Sequence, residues 1–136
     1  MWGTFGYELD PLRLTDEERE TVKRQIADYH RFYRLIREGD LYRIRSPFEN
    51  RYYAAWAIVA ADKTECLFTM VCMTQHFCGM EFVRFKGLDP QKMYYCEADG
   101  ETYSGAFLMR VGLNLSGKAV RDGESFTLYL RDCSGY

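Results

Sequence analysis

Histidine occurs only twice in this 136-residue chain, as His30 and His76, and neither has an acid or a nucleophile at a telling spacing. The five cysteines, Cys66, Cys72, Cys78, Cys96 and Cys133, are odd in number, and no two have the spacing of a zinc knuckle or a redox pair. They read as reduced, buried apolar residues of an intracellular protein; Cys66 and Cys72, an even number apart, would share one side of a strand. Basic excess is missing too. The chain has 18 Lys and Arg against 20 Asp and Glu, a net charge of −2, which argues against a nucleic-acid or anionic-membrane partner. No run approaches the roughly 18 apolar residues of a membrane span, and no basic-then-apolar leader opens the sequence. A cytoplasmic location follows as the expectation, unless the chain is a fragment whose leader lies elsewhere, with neither metal nor cofactor. Gly3-Thr4-Phe5-Gly6 lacks the lysine that a phosphate loop needs at its far end.

What the chain has in plenty is aromatic side chains: 16% of residues, with 11 Tyr and 9 Phe. Flat rings pack well on a pleated surface, so this richness suits β structure. The length fits one domain, or one domain with an appendage, and a chain this long buries about two thirds of its unfolded surface without a staple or a metal.

Two unequal parts follow from the pattern. Trp2 to Asp10 alternates aromatics with small residues, and Pro11 ends the run. Thr15-Asp16-Glu17-Glu18 then reads as a capping box with three acids at the positive end of a helix dipole. Val22, Ile26, Tyr29, Tyr33 and Ile36 follow at spacings of four, three, four and three, one stripe of a helix over 16–38 that Gly39 would stop as a C′ residue. At 1.5 Å per residue that helix is about 35 Å long. Its charged face (Glu20, Lys23, Arg24, Asp28, Arg31, Arg34) reads as solvated. Beyond Gly39 the period becomes alternating. Strands are expected at 41–44, 53–60, 65–74, 81–85, 93–97 and 125–131, with turns at Ala61-Asp62-Lys63, Gly87-Leu88-Asp89-Pro90, Ala98-Asp99-Gly100 and Asp122-Gly123-Glu124. Asp-Gly twice between apolar runs predicts tight antiparallel hairpins, and six or more short strands predict a β-sandwich.

Few residues carry a chemical signal. A thiol hydrolase built from Cys72 or Cys78 with a histidine is one reading, though nothing marks either thiol as activated. Asp40, Glu49, Asp62 and Asp89 sit at turns, where short acids satisfy backbone N–H groups. A sugar-binding platform is the stronger reading, from Tyr52, Tyr53, Trp56, Tyr94, Tyr95 and Tyr103. Alternation, however, sends Tyr53 and Trp56 to opposite faces of their strand, and a sandwich core would absorb most of these rings.

Several stretches together resemble one family. Gly3-Thr4-Phe5-Gly6-Tyr7-Glu8-Leu9-Asp10 resembles the segment that closes the catalytic barrel of family 36 glycoside hydrolases, the bacterial and fungal α-galactosidases. Gly39-Asp40-Leu41-Tyr42-Arg43-Ile44 and Ser46-Pro47-Phe48-Glu49 are similar to that family's Gly-Asp-Phe-Tyr-Arg-Leu and Ser-Pro-Phe run. Ala55-Trp56 with Asp62-Lys63 and Glu65, then Lys86-Gly87-Leu88-Asp89-Pro90 with Tyr94, continue the series in order. Tyr103-Ser104-Gly105 with Leu108-Met109 and Gly112-Leu113 complete it, while residues 70–80 are less family-like.

The resemblance implies that residues 1–39 are the last strand and helix of a (β/α)8 barrel and residues 40–136 a C-terminal antiparallel β-sandwich. It implies a retaining α-galactosidase of melibiose or raffinose type, in which one aspartate attacks and a second acts as acid and base. Both lie upstream, so no catalytic, metal or cofactor residue is carried over. Glu8 and Asp10, which follow the expected barrel strand, fall outside the pair. The implied role is bracing the barrel and the oligomer, with the upstream barrel of the same polypeptide and further copies as partners. An independent carbohydrate-binding module is the alternative. The Val22–Ile36 stripe would face the barrel; without it the expectation is self-association or a repacked N-terminus.

Overall fold

The computed structural model describes residues 3, 5–8, 10–49, 51–74, 82–116, 118 and 121–135. Helix α1 spans Asp16–Glu38, the range its capping signals predict. The Thr15 hydroxyl accepts from the Glu18 N–H at 3.3 Å, and the Thr15 N–H donates to Glu18 Oε2 at 2.8 Å. The Thr15 N–H and the Thr15 hydroxyl both donate to Glu18 Oε2 and hold the Glu18 carboxyl below its ordinary range. The extended segment before the helix forms no strand among its described residues. A lone extended segment has no neighbour to complete a ladder. Asp10 instead caps a 3-10 turn, Pro11–Arg13, by accepting from the Leu12 N–H.

Gly39 stops α1 differently from the expected C′ glycine. Its φ is −79°, not left-handed, and its N–H donates to Leu35 O at 2.9 Å. Glycine is required there for space: a Cβ would stand 2.5 Å from Ile58 Cγ2 and 2.7 Å from Leu35 O. The helix therefore turns directly into the sheet with no linker.

The sheet has six antiparallel strands in the order β1-β2-β3-β8-β5-β6. They are β1 (Asp40–Arg45), β2 (Tyr53–Val59), β3 (Glu65–Cys72), β5 (Met93–Cys96), β6 (Thr102–Ser104) and β8 (Ser125–Asp132). A two-stranded ribbon, β4 (Phe82–Val83) with β7 (Leu113–Asn114), and a short helix α2 (Gly105–Arg110) form the second layer. The mainly antiparallel β fold is as expected. The short elements β6, α2 and β7 were not, and the expected strand at 81–85 is reduced to Phe82–Val83 among the described residues.

Ala98-Asp99-Gly100 makes the expected hairpin, joining β5 to β6 with Gly100 at φ +77°. Asp122-Gly123 does not, because β7 before it pairs with β4 and not with β8. Its backbone extends the pairing of β8 with β3: Gly123 N–H donates to Cys72 O, and Cys72 N–H donates to Glu124 O, both at 2.9 Å.

Alternation along β2 and β3 divides the core. Tyr53, Ala55, Ala57 and Val59, with Cys66, Phe68 and Met70, face the second layer and meet Phe85, Leu108 and Leu128. Ile58 and Leu67 face the other way, toward α1. Tyr53 and Trp56 thus fall on opposite faces. Tyr94 is fully buried; its hydroxyl donates to Lys63 O at 2.8 Å and accepts from Asp89 N–H at 3.0 Å. Burial pushes that hydroxyl up to about 12. The two bonds tie the β2–β3 turn, where Lys63 has φ 60°, to the loop before β5.

Two predictions follow from this packing. Gly39→Ala forces a methyl group into the helix–sheet junction and costs about 1–3 kcal/mol, read as a lower thermal unfolding midpoint. The second concerns Asp132, which accepts from the Ser134 hydroxyl and N–H and from Lys92, and whose carboxyl is lowered to about 2. Its unfolded value lies near 3.9. The carboxylate therefore stabilises the fold above about pH 4, and this contribution is lost as pH falls toward 2. Asp132→Asn should flatten the fall in stability between those pH values, measured by denaturant titration.

Candidate functional site

Helix α1 presents two faces to two different neighbours. Of its 23 residues only Leu35 is buried, packed with Phe32 and Ile36 against Ile58, Leu67 and Tyr129. At about 100° per residue this docked face lies roughly a quarter-turn from the Val22–Ile26–Tyr29–Tyr33 stripe. Of the stripe, Ile36 at its end packs against the sheet, whereas Val22, Ile26, Tyr29 and Tyr33 do not join that cluster. Ile26 and Tyr33 remain 39% and 43% exposed. The reason is geometric: the junction at Gly39 sets the rotation of the last turns, and these bring Leu35 over Ile58.

The N-terminal segment covers part of the stripe. Phe5 and Tyr29 have ring centroids 5.2 Å apart, and the Tyr29 hydroxyl donates to Gly3 O at 2.9 Å. An apolar cleft of about 420 Å³ remains between Phe5, Tyr7, Leu14, Val22, Ile26 and His30. His30 is thus a wall of this cleft; His76 lies outside the described residues. Glu8 is exposed, and Asp10 is occupied as a cap.

The charged face is not uniformly solvated. Arg31 Nη2 donates to both carboxylate oxygens of Glu97 at 2.7 Å, and its guanidinium lies 5.0 Å from the Tyr129 ring centroid. Arg34 Nη2 donates to Glu65 Oε2 at 3.0 Å, and the Tyr129 hydroxyl donates to Glu65 Oε1 at 2.7 Å. Burial, then the bond to Glu65, raises the Tyr129 hydroxyl above its ordinary range. Sequence reasoning missed this cluster because Arg31 and Arg34 lie off the apolar stripe. Their position beside Leu35 was the available signal.

The remaining candidates are dispersed. Cys66, Cys72 and Cys96 are buried and Cys133 is half-buried; all four are free thiols. Burial raises the Cys66 and Cys96 thiols, the reverse of nucleophile activation. Cys78 lies outside the described residues. Asp62 caps its turn through Thr64, Asp89 accepts from Gln91 N–H, and Asp40 pairs with Lys63; Glu49 is exposed. Among the described residues no group of three His, Cys, Asp or Glu side chains can hold a metal, and no helix is long and apolar enough to cross a membrane.

The platform residues do not assemble. Tyr53 and Tyr94 are buried, Tyr52 is exposed, and Tyr95 lies against the Arg131 guanidinium. Tyr103 lines a cleft of about 310 Å³ with Phe82, Phe107, Asn114, Lys118 and Phe126. It stacks on Phe107 at 5.8 Å and 12°, and its hydroxyl donates to Asp99 at 2.9 Å.

Comparison with known proteins gives a consistent picture. Residues 53–130 match the family described as the glycosyl hydrolase family 36 C-terminal domain. The chain is 40% identical over 116 residues to the bifunctional α-galactosidase/sucrose kinase AgaSK of Mediterraneibacter gnavus, covering 85% of this chain and 12% of that protein. It is also 40% identical over 116 residues to the α-galactosidase AgaA of Geobacillus stearothermophilus, covering 85% and 16%. The solved structure of AgaA superposes with a TM-score of 0.88 at 36% identity, over 96% of this chain and 18% of AgaA. The chain therefore spans less than a fifth of the length of these relatives.

The thiol arrangement makes a direct prediction. Native protein treated with a maleimide at pH 7.5 should leave Cys66 and Cys96 unmodified, and both should react once denatured. Peptide mass spectrometry reads the outcome, and rapid native labelling of either residue would contradict it.

Proposed function

Because this chain belongs to the family of glycosyl hydrolase family 36 C-terminal domains, we propose that it is the non-catalytic C-terminal part of an α-galactosidase. The longer polypeptide would hydrolyse terminal α-galactosides of the melibiose and raffinose type. The observation that carries this reading is the alignment of 85% of the chain with less than a fifth of two α-galactosidases. Retaining hydrolysis needs two carboxyl groups about 5–5.5 Å apart across the scissile bond. In this reading both lie upstream of this chain.

The proposed division is residues 1–39 as the last unit of the catalytic barrel and 40–136 as the C-terminal β domain. It is supported by the two faces of α1: its last turns dock on the sheet, while Ile26 and Tyr33 stay open to a second body. Burying such a stripe is the physical work of bracing, since apolar surface of this kind gains roughly 25 cal/mol per Å² when covered. Bracing an oligomer is part of the same proposal, supported by Phe48, 98% exposed beyond the end of β1. Free thiols suit a reducing compartment, so a cytoplasmic location is kept as part of the proposal.

A carbohydrate-binding module ranks second, favoured by the Tyr103–Phe107 stack beside Asn114. Calorimetric titration of the 136-residue chain with melibiose and raffinose separates the two. The bracing reading expects no heat of binding and no hydrolysis of p-nitrophenyl-α-galactoside, with hydrolysis restored in the longer polypeptide of the same reading frame. Saturable binding by the chain alone would favour the module. An inactive longer polypeptide would remove the α-galactosidase reading.

A further inference from the structure

The seam between α1 and the sheet is unusual for a helix of 23 residues in having one buried apolar side chain and four charged ones. Leu35, flanked by Phe32 and Ile36, supplies the apolar part. On its flank lie Arg31 against Glu97 and Arg34 against Glu65, joined by Tyr129, whose ring underlies Arg31 and whose hydroxyl bonds Glu65. Glu97 is itself fixed, its N–H donating to Tyr129 O at 3.2 Å. The two carboxylates come from different strands, one at the start of β3 and one just past β5, so the arginines are held at two separated points. Two points of attachment fix an angle where one would permit rotation.

We propose that Arg31–Glu97 and Arg34–Glu65–Tyr129 form a salt-sensitive latch that sets the angle of α1 to the sheet, with Gly39 as its hinge. Closed, the latch holds the open stripe of α1 in one orientation. Opened, the helix swings on the Gly39 junction while the sheet, whose core contains none of these four charges, stays folded. These are positioning residues. Isolated exposed pairs contribute little, but linked charges that share a ring and a hydroxyl are the circumstance in which such pairs count. Screening lowers their contribution at high ionic strength, whereas it leaves an apolar seam intact or strengthens it. In a longer polypeptide the latch would set the angle between the upstream body and the β domain; that consequence rests on the reading above, while the latch itself does not.

The test is hydrogen exchange on the 136-residue chain, followed by mass spectrometry over peptides covering 31–38 and the β2 and β3 core. R31E and E97R should each speed exchange of 31–38 by about tenfold, with β2 and β3 unchanged. The swapped pair R31E/E97R should recover most of the protection, and raising sodium chloride to about 1 M should speed exchange of 31–38 in the parent chain. If R31E also unprotects the sheet, R31Q, which removes the charge without repulsion, is read the same way. Unchanged exchange in the single variants, no recovery in the swap, or slower exchange in high salt would each overturn the latch.

Discussion

The close approach of Gly39 to Ile58 is the constraint on which the rest of the architecture depends. A helix that ends one residue before a strand begins cannot choose which of its faces meets the sheet. The missing Cβ lets the last turn of α1 lie directly on β2, with Gly39 N–H bonded to Leu35 O and β1 starting at Asp40. That junction decides which residues the sheet buries. It brings Leu35 over Ile58 and Leu67, aims Arg31 and Arg34 at carboxylates at the ends of strands, and rotates most of the longest apolar stripe away from the sheet.

From this follows the division of labour within the domain. One face of the sheet is sealed by the β4–β7 ribbon and α2 around Phe68, Phe85, Tyr94 and Leu108, an interior that holds the Tyr94 phenol by two backbone bonds. The other face is only partly covered, and the helix that covers it carries a stripe turned outward. The described thiols that show a shift are raised by burial, the turn acids are occupied by N–H and hydroxyl donors, and the rings are mostly committed to packing.

Much of this was legible in the residues. The Thr15-x-x-Glu18 box fixed the start of α1 because both partners of its reciprocal bonds are local, and alternation located β1, β2, β3, β5 and β8 because one face of each meets the core. Tyr53 and Trp56 parted as the period of two requires. Less legible was anything decided by distant contacts. Periodicity reports that a stripe is apolar, not which neighbour meets it, so Ile36 was grouped with Val22–Tyr33, and Phe32 and Leu35, which dock on the sheet beside it, were not singled out. Gly39 looked like a left-handed stop because sequence cannot distinguish a glycine needed for φ from one needed for room. The elements β6, α2 and β7 are two to six residues long, too short for any period to register. The arginine pairs were hidden because Glu65 and Glu97 lie 31 and 66 residues further along the chain.

The central claim is that the outward stripe of α1 belongs to an interface with a catalytic body upstream. The most direct measurement compares hydrogen exchange of residues 16–30 in the 136-residue chain and in the longer polypeptide of the same reading frame. The account predicts strong protection of this segment in the longer protein and much weaker protection in the short chain, with β2, β3 and β8 alike in both. Equal exchange of residues 16–30 in the two proteins would contradict it.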